Sequence, residues 1–309
     1  MPSPGYGAVL ILLAMGMTTM GCSRSQHLEG ESAMDKGPSK TIADPVVTPE
    51  IAAEVTYNVY DLPSSQVHVV TIPPESGYRV QVAVAEGLNL VQDLAPQVGA
   101  IAAVNAGFFD PQNGLTTSYI TIGGSLIADP RQNLRLMENP DLQSYLDAIL
   151  DRSEFRIYDC GDRQRYGIMP HSAPIPEACT LDAAVGAGPQ LLPAITAYEE
   201  GFLADNPAGE VVRDALGSRY ANARSAIGLK PDGTVVFAIA AQRLDQDAPT
   251  GLTLEGMAEF LKTLGVTAAL NLDGGSSSSL FFKGTTHYGR LNAQNQFVER
   301  PIKSILFVK

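Results

Sequence analysis

Tryptophan is missing from all 309 residues. A sugar held by stacking must therefore meet tyrosine or phenylalanine, or be held by hydrogen bonds alone. Basic charge is also short: 21 Lys and Arg face 33 Asp and Glu, a net charge of −12. That balance argues against a nucleic-acid binder, which needs a basic footprint. It also disfavours adhesion to anionic lipid by charge alone. The four histidines, His27, His68, His171 and His287, are dispersed and show no zinc spacing. His171 and His287 are read as solvated loop residues with a site role as the alternative. Cysteine is scarce, at three residues.

What is present is a globular composition, 45% hydrophobic and 17% charged, enough for one large domain or two small ones. Ala8 to Met20 is almost wholly apolar. It is too short for a comfortable membrane span and suits the apolar stretch of an export signal. It ends in Thr19-Met20-Gly21-Cys22-Ser23, which resembles the cleavage box of bacterial lipoproteins. The resemblance implies a signal over residues 1–22, lipid on Cys22, membrane attachment through that lipid, and a place in the bacterial cell envelope. An ordinary secretory signal is the alternative. Residues 23–50 are polar, carry Gly and Pro without hydrophobic period, and read as a tether. Export leaves Cys160 and Cys179, and two thiols in an exported chain point to a disulfide rather than a metal pair.

The folded part is expected over 51–309. Val55–Tyr60, Gln66–Ile72, Tyr78–Ala85 and Ala100–Val104 read as strands from β-branched content and breakers. Gly123-Gly124 and Lys230-Pro231-Asp232-Gly233 mark hairpins. Leu90–Val98 reads as a short helix, and Asp141–Leu150 as a second. Thr253 caps a third, with Leu254, Met257, Ala258, Leu261 and Leu264 on one stripe and Gly265 closing it. Leu191–Ala197, Val266–Leu270 and Ile302–Val308 read as further strands, and about 150–184 as an irregular excursion. The expectation is an α+β fold: a single domain with a mostly antiparallel or mixed β core and a few packed helices.

One segment stands out for chemistry: Asn271-Leu272-Asp273-Gly274-Gly275-Ser276-Ser277-Ser278-Ser279. An acid follows a short buried strand and precedes glycines whose N–H groups can converge on an anion. Ser276 and Ser277 add hydroxyl donors. The bland alternative is a glycine bulge before a serine-rich hairpin. The segment is neither a P-loop nor a Gly-x-Ser-x-Gly elbow, which argues against a serine hydrolase. Asn105-Ala106-Gly107-Phe108-Phe109-Asp110 is the second candidate: an amide for sugar hydroxyls, then paired rings for a sugar face. Phe108 and Phe109 have core packing as the alternative. Arg224, opening Arg224-Ser225-Ala226-Ile227-Gly228, is read as a fork for phosphate or carboxylate, with an exposed strand end as the alternative.

These stretches, with Gly188-Pro189-Gln190-Leu191-Leu192, Gly251-Leu252-Thr253-Leu254 and Glu299-Arg300-Pro301, resemble in order the motifs of the phosphodiester glycosidase family over roughly 80–309. Ser276 stands where the family pattern has a third glycine, and Ala187 where it has the first glycine of Gly-Gly-Pro. Residues 131–184 read as an inserted loop region. The resemblance implies hydrolysis of a sugar-1-phosphodiester with release of the sugar. On it, Asp273 acts at the anomeric carbon. Arg224 and the amides of Gly274, Gly275 and Ser276 hold phosphate oxygens. Asn105 and Asn271 orient hydroxyls, Gly188 and Ser277 line the substrate, and Glu299 and Asp110 are reserve acids. No cofactor is demanded, although Asp273 and nearby oxygens suit Ca or Mg. A non-catalytic glycan-phosphate-binding lipoprotein and a metal-dependent phosphodiesterase cutting P–O are the competing readings.

Overall fold

The computed structural model describes residues 53–161, 164–246 and 250–309. The signal, the tether and Cys22 lie outside the described residues. The described residues belong to one compact unit, Glu50–Lys309. Three sheets enclose one core, and every strand pairing in them is antiparallel.

The six-stranded sheet orders Thr56–Leu62, Ser65–Ile72, Val235–Ala241, Arg224–Leu229, Ala268–Asn271 and Gln190–Leu192. Its central strand Val235–Ala241 is buried along its whole length. The reason is that both faces are covered, which turns the alternating strand pattern into a continuous apolar run. Val235, Phe237 and Ile239 face the shared core. Val236, Ala238 and Ala240 face the helix Leu254–Thr263 through Leu254, Met257, Ala258 and Leu261. That helix starts as expected, with the Thr253 side chain accepting from Gly256 N at 2.9 Å.

The first five-stranded sheet orders Thr285–Tyr288, Ser279–Phe282, Ala102–Asn105, Ile302–Val308 and Val80–Asn89. Val104 and Leu306 point into the shared core, while Ala103 and Phe307 meet the helix Val91–Gln97. Both hairpin readings hold. Gly123 and Gly124 adopt φ of 58° and 70°, and Gly233 adopts 90°, the left-handed values such turns require.

Two expectations are corrected. Residues 150–184 are not an excursion. Ser153–Asp159, Gln164–Pro170 and Thr180–Gly186 form the second five-stranded sheet with Ile120–Ile122 and Ser125–Ala128. Phe155, Ile157, Ala183 and Val185 fill the shared core. The disulfide Cys160–Cys179 is present and joins the ends of two neighbouring strands of that sheet. The Asp141–Leu150 helix is a 3-10 stretch, Pro140–Tyr145, followed by a short α-helix, Leu146–Leu150. Pro140 presets that tight start. With 42% strand and 16% helix, the fold is richer in β than the expected α+β label.

Candidate functional site

The first five-stranded sheet delivers Asn105 at the end of the strand Ala102–Asn105, with no solvent exposure. Its amide nitrogen donates to the Asp273 carbonyl at 2.5 Å. Its oxygen accepts from the Ser225 hydroxyl at 2.8 Å and from Ser279 N at 3.1 Å. Asn105 thus ties the two ends of the serine-rich segment to a neighbouring sheet. It holds the backbone rather than presenting its amide to a sugar, which corrects its expected role.

The six-stranded sheet delivers the other half. Asn271 and Gly188 exchange bonds: Gly188 N donates to Asn271 O at 2.9 Å, and Asn271 Nδ2 to Gly188 O at 2.8 Å. Asn271 Oδ1 is buried without a partner. Gly188 is obligatory here. Its φ is +107°, and a Cβ would fall 2.1 Å from Glu200 Oε2. Glu200 is itself buried and accepts from Ser153, Gln190 and Thr196.

Asp273 sits where these halves meet. Its N–H donates to Ala106 O at 2.9 Å. Asp273 to Ser276 are half-buried, so the segment reaches solvent. The carboxyl itself is enclosed, and that burial pushes its pKa up to about 7. The Ser277 hydroxyl, the Arg300 charge and the Gly274 amide pull the other way. The loop then turns through the 3-10 stretch Gly275–Ser277. Gly275 N is spent on Ala223 O at 2.8 Å, and Ser277 N on Gly274 O at 3.1 Å. The amide nest is therefore smaller than expected.

Arg224 is corrected more sharply. It is only 2% exposed. Nε donates to Leu252 O, Nη1 to Leu216 O, and Nη2 to Gly217 O and Tyr220 O, at 2.7–3.0 Å. Four of a guanidinium's five N–H groups thus hold backbone in place. Asp110 is spent as well, ion-paired to Arg135 at 2.7 Å and accepting from Gln112 N. Glu299 is exposed. Its charge registers on Tyr288, whose hydroxyl is pushed up to about 12 by burial first and by Glu299 next. Phe108 is half-buried against Phe202, ring centroids 5.7 Å apart, and Phe109 is core. His171 is bonded to Glu154, and His287 is stacked on His68.

The residue that sequence reasoning passed over is Arg300. It lies over the Phe109 ring at 5.5 Å and close enough to Asp273 to favour its charged form. Its guanidinium makes no ion pair or hydrogen bond among the described residues, so its donor fork stays available. The signal was present in Glu299-Arg300-Pro301, beside the acid chosen instead. Among the described residues no three His, Cys, Asp or Glu side chains cluster as metal ligands.

A model of the phosphodiester glycosidase family matches residues 98–309. The chain belongs to that family. The six-motif resemblance is borne out, and the family places the chain among hydrolases. Solved structures sharing the phosphodiester glycosidase fold include the catalytic domain of zebrafish N-acetylglucosamine-1-phosphodiester alpha-N-acetylglucosaminidase, auto-inhibited by its pro-peptide. The TM-score is 0.59 at 18% identity, covering 84% of each chain. A protein from Burkholderia pseudomallei K96243, described as exported, gives 0.57 at 16%, covering 79% of this chain and 74% of that one. A hypothetical protein from Synechocystis gives 0.54 at 18%, and the alignment spans 82% of this chain but only 61% of that one. At these identities the likeness is one of fold. The curated proteins include no match. No helix of the described residues is long and apolar enough to cross a membrane.

Proposed function

We propose that this phosphodiester glycosidase cleaves the bond between the anomeric carbon of a sugar and a phosphodiester oxygen. The observation that carries the reading is the enclosed Asp273 carboxyl beside the unpaired Arg300 guanidinium. Phosphate is already a good leaving group, so strong general-acid help is needed less than in ordinary glycosidases. One carboxyl can then serve where two are usual. Asp273, with a pKa near neutrality, takes the proton from water or attacks the anomeric carbon itself. Arg300 holds the phosphate oxygens as they gain charge. Asn105, and Asn271 with Gly188, fix the loop that carries Asp273, while Arg224 fixes the carbonyls of Leu216, Gly217, Tyr220 and Leu252.

N-acetylglucosamine, the sugar named for the zebrafish relative, is the first to test. Incubation of the chain with its phosphodiesters releases free sugar, and Asp273→Asn abolishes release while folding normally. Sugar phosphate as the product would instead assign P–O cleavage. Binding without product would assign a carbohydrate-phosphate-binding module. The steps use side chains alone, so turnover survives EDTA. Loss on EDTA with recovery on Ca or Mg would add a metal.

The setting proposed is the bacterial envelope, with Cys22 lipidated. Its support is the apolar run Ala8–Met20 before Cys22 and the disulfide. Detergent-phase partitioning that is lost in Cys22→Ser tests it.

A further inference from the structure

Two arginines, not one, attend the Asp273 loop. Arg300 lies near enough to Asp273, at the loop's start, to favour the charged carboxylate. Arg290 lies at its far end, where Gly289 N donates to Ser278 O at 2.8 Å. The half-buried Arg290 side chain reaches Asn222, Nη1 donating to Oδ1 at 2.5 Å. The Asn222 amide nitrogen in turn lies 3.9 Å from the Cβ position of Gly275. That single bond leaves most of the guanidinium fork unspent. Neither arginine forms an ion pair among the described residues, although acids outnumber bases by 33 to 21.

A phosphodiester carries one negative charge, and Arg300 at Asp273 answers it. Arg290, at the far end of the loop, is a second positive charge without an acid partner among the described residues. A half-buried cation without an acid partner is placed to donate charge-assisted hydrogen bonds to a bound anion's oxygens. Asn222 fixes one edge of the fork, so the remaining N–H groups are held rather than free to rotate. Ser276, in place of the glycine of the family pattern, adds a hydroxyl on the same turn.

We propose that Arg290 is a specificity-determining residue for an aglycone that carries its own anionic group, so that the preferred substrate is a sugar phosphodiester with a second phosphate on the leaving side. The proposal rests on the phosphodiester glycosidase reading. Arg300 takes the reacting phosphodiester, and Arg290 takes the second group.

The test uses the full chain and two glycosyl phosphodiesters of the same sugar, one with an ethyl aglycone and one with a phosphoethyl aglycone. Wild type is expected to favour the phosphoethyl substrate by about tenfold in kcat/KM, one well-placed charged contact. Arg290→Gln keeps a donor for Asn222 Oδ1 and removes the charge, and the preference is expected to fall to about one. Equal kcat/KM for the two substrates in wild type, or an unchanged ratio in Arg290→Gln, overturns the proposal. A second arm needs no turnover: calorimetry with ethyl phosphate and with ethylene glycol bisphosphate. Tighter binding of the bisphosphate that is lost in Arg290→Gln supports the subsite even if hydrolysis fails. Turnover of both substrates without a charge preference keeps the hydrolase and removes the subsite.

Discussion

Asp273 shows what enclosing a single carboxyl does to stability. An unfolded aspartate ionises near 3.8, while the enclosed one holds its proton to about 7. Its folded pKa is raised, so its contribution to stability is full below about pH 4 and is lost as pH rises to about 7. The rise from 3.8 to about 7 corresponds to roughly 4 kcal/mol. Asp273→Asn never ionises. Its stability relative to wild type is expected to grow through that window, by on the order of 4 kcal/mol, and then level off. Urea unfolding at about pH 4, pH 6 and pH 8 reads this; a pH-independent difference would mean the carboxyl is not enclosed. With Asp273 as the base in the mechanism proposed above, wild-type kcat/KM is expected to show a rising limb that flattens above about pH 7. The two arginines separate by a second comparison. Arg300→Ala should lower kcat/KM by roughly 10²–10³ with near-normal melting. Arg224→Ala strips four backbone carbonyls of their donor, so it should cost several kcal/mol of stability. Stable but inactive Arg224→Ala would restore the phosphate clamp. The sequence shows that a guanidinium exists but not which carbonyls it meets, which is why Arg224 was misread.

At the scale of elements, local signals were legible and long-range ones were not. The helix Leu254–Thr263 and the hairpins at Gly123-Gly124 and Gly233 carry their caps and turn residues in sequence. The strand Ser153–Asp159 does not advertise itself. Phe155 and Ile157 alternate correctly, but Glu154 and Arg156 stand between them. Those two are buried and neutralise each other at 2.9 Å, so a strand with both faces covered reads as a charged, irregular stretch. The connection between Gly188 and Asn271 was likewise invisible, although both residues were singled out. It is now the sharpest place to test how the elements position the acid. Gly188→Ala puts a methyl 2.1 Å from Glu200 Oε2 at φ +107°. Either the Glu200 carboxylate leaves its partners Ser153, Gln190 and Thr196 or the Gly188 backbone shifts and opens its pair with Asn271, and a resulting displacement of Asp273 by about 1 Å should cost about 10²-fold in kcat/KM. Gly123→Ala is the control. Its φ of +58° is also left-handed, but open space surrounds it. It should cost about 1 kcal/mol of stability and no activity. Equal effects from the two would show that backbone strain, not the Glu200 contact, sets the loop.

For the whole molecule, the site exists only because three sheets close on one core. Asn105, Gly188, Arg224, Asp273 and Arg300 come from strand ends or approaches far apart in sequence, and the loop is held from two sheets at once. The third sheet supplies a wall of the shared core through Phe155, Ile157, Ala183 and Val185. Its strand residue Ser153 also supplies donors to Glu200, which packs against Gly188. This bears on the region 131–184, which resembled an insertion. A true insertion can be excised with little loss, since loop closure depends weakly on length. Replacing Ser153–Gly186 by a short linker removes Phe155, Ile157, Ala183 and Val185 from the core. At roughly 2 kcal/mol for each large apolar side chain, that loss alone is on the order of 6 kcal/mol, comparable to the whole stability of a typical domain. The excised chain is therefore expected to show no cooperative urea transition by circular dichroism and no turnover. Shortening the turn between the strands Leu203–Asp205 and Val211–Asp214, which pair only with each other, should be tolerated. A cooperative, active protein after removal of Ser153–Gly186 would mean that the third sheet is an ornament on a complete two-sheet enzyme, and that Glu200 reaches Gly188 without it.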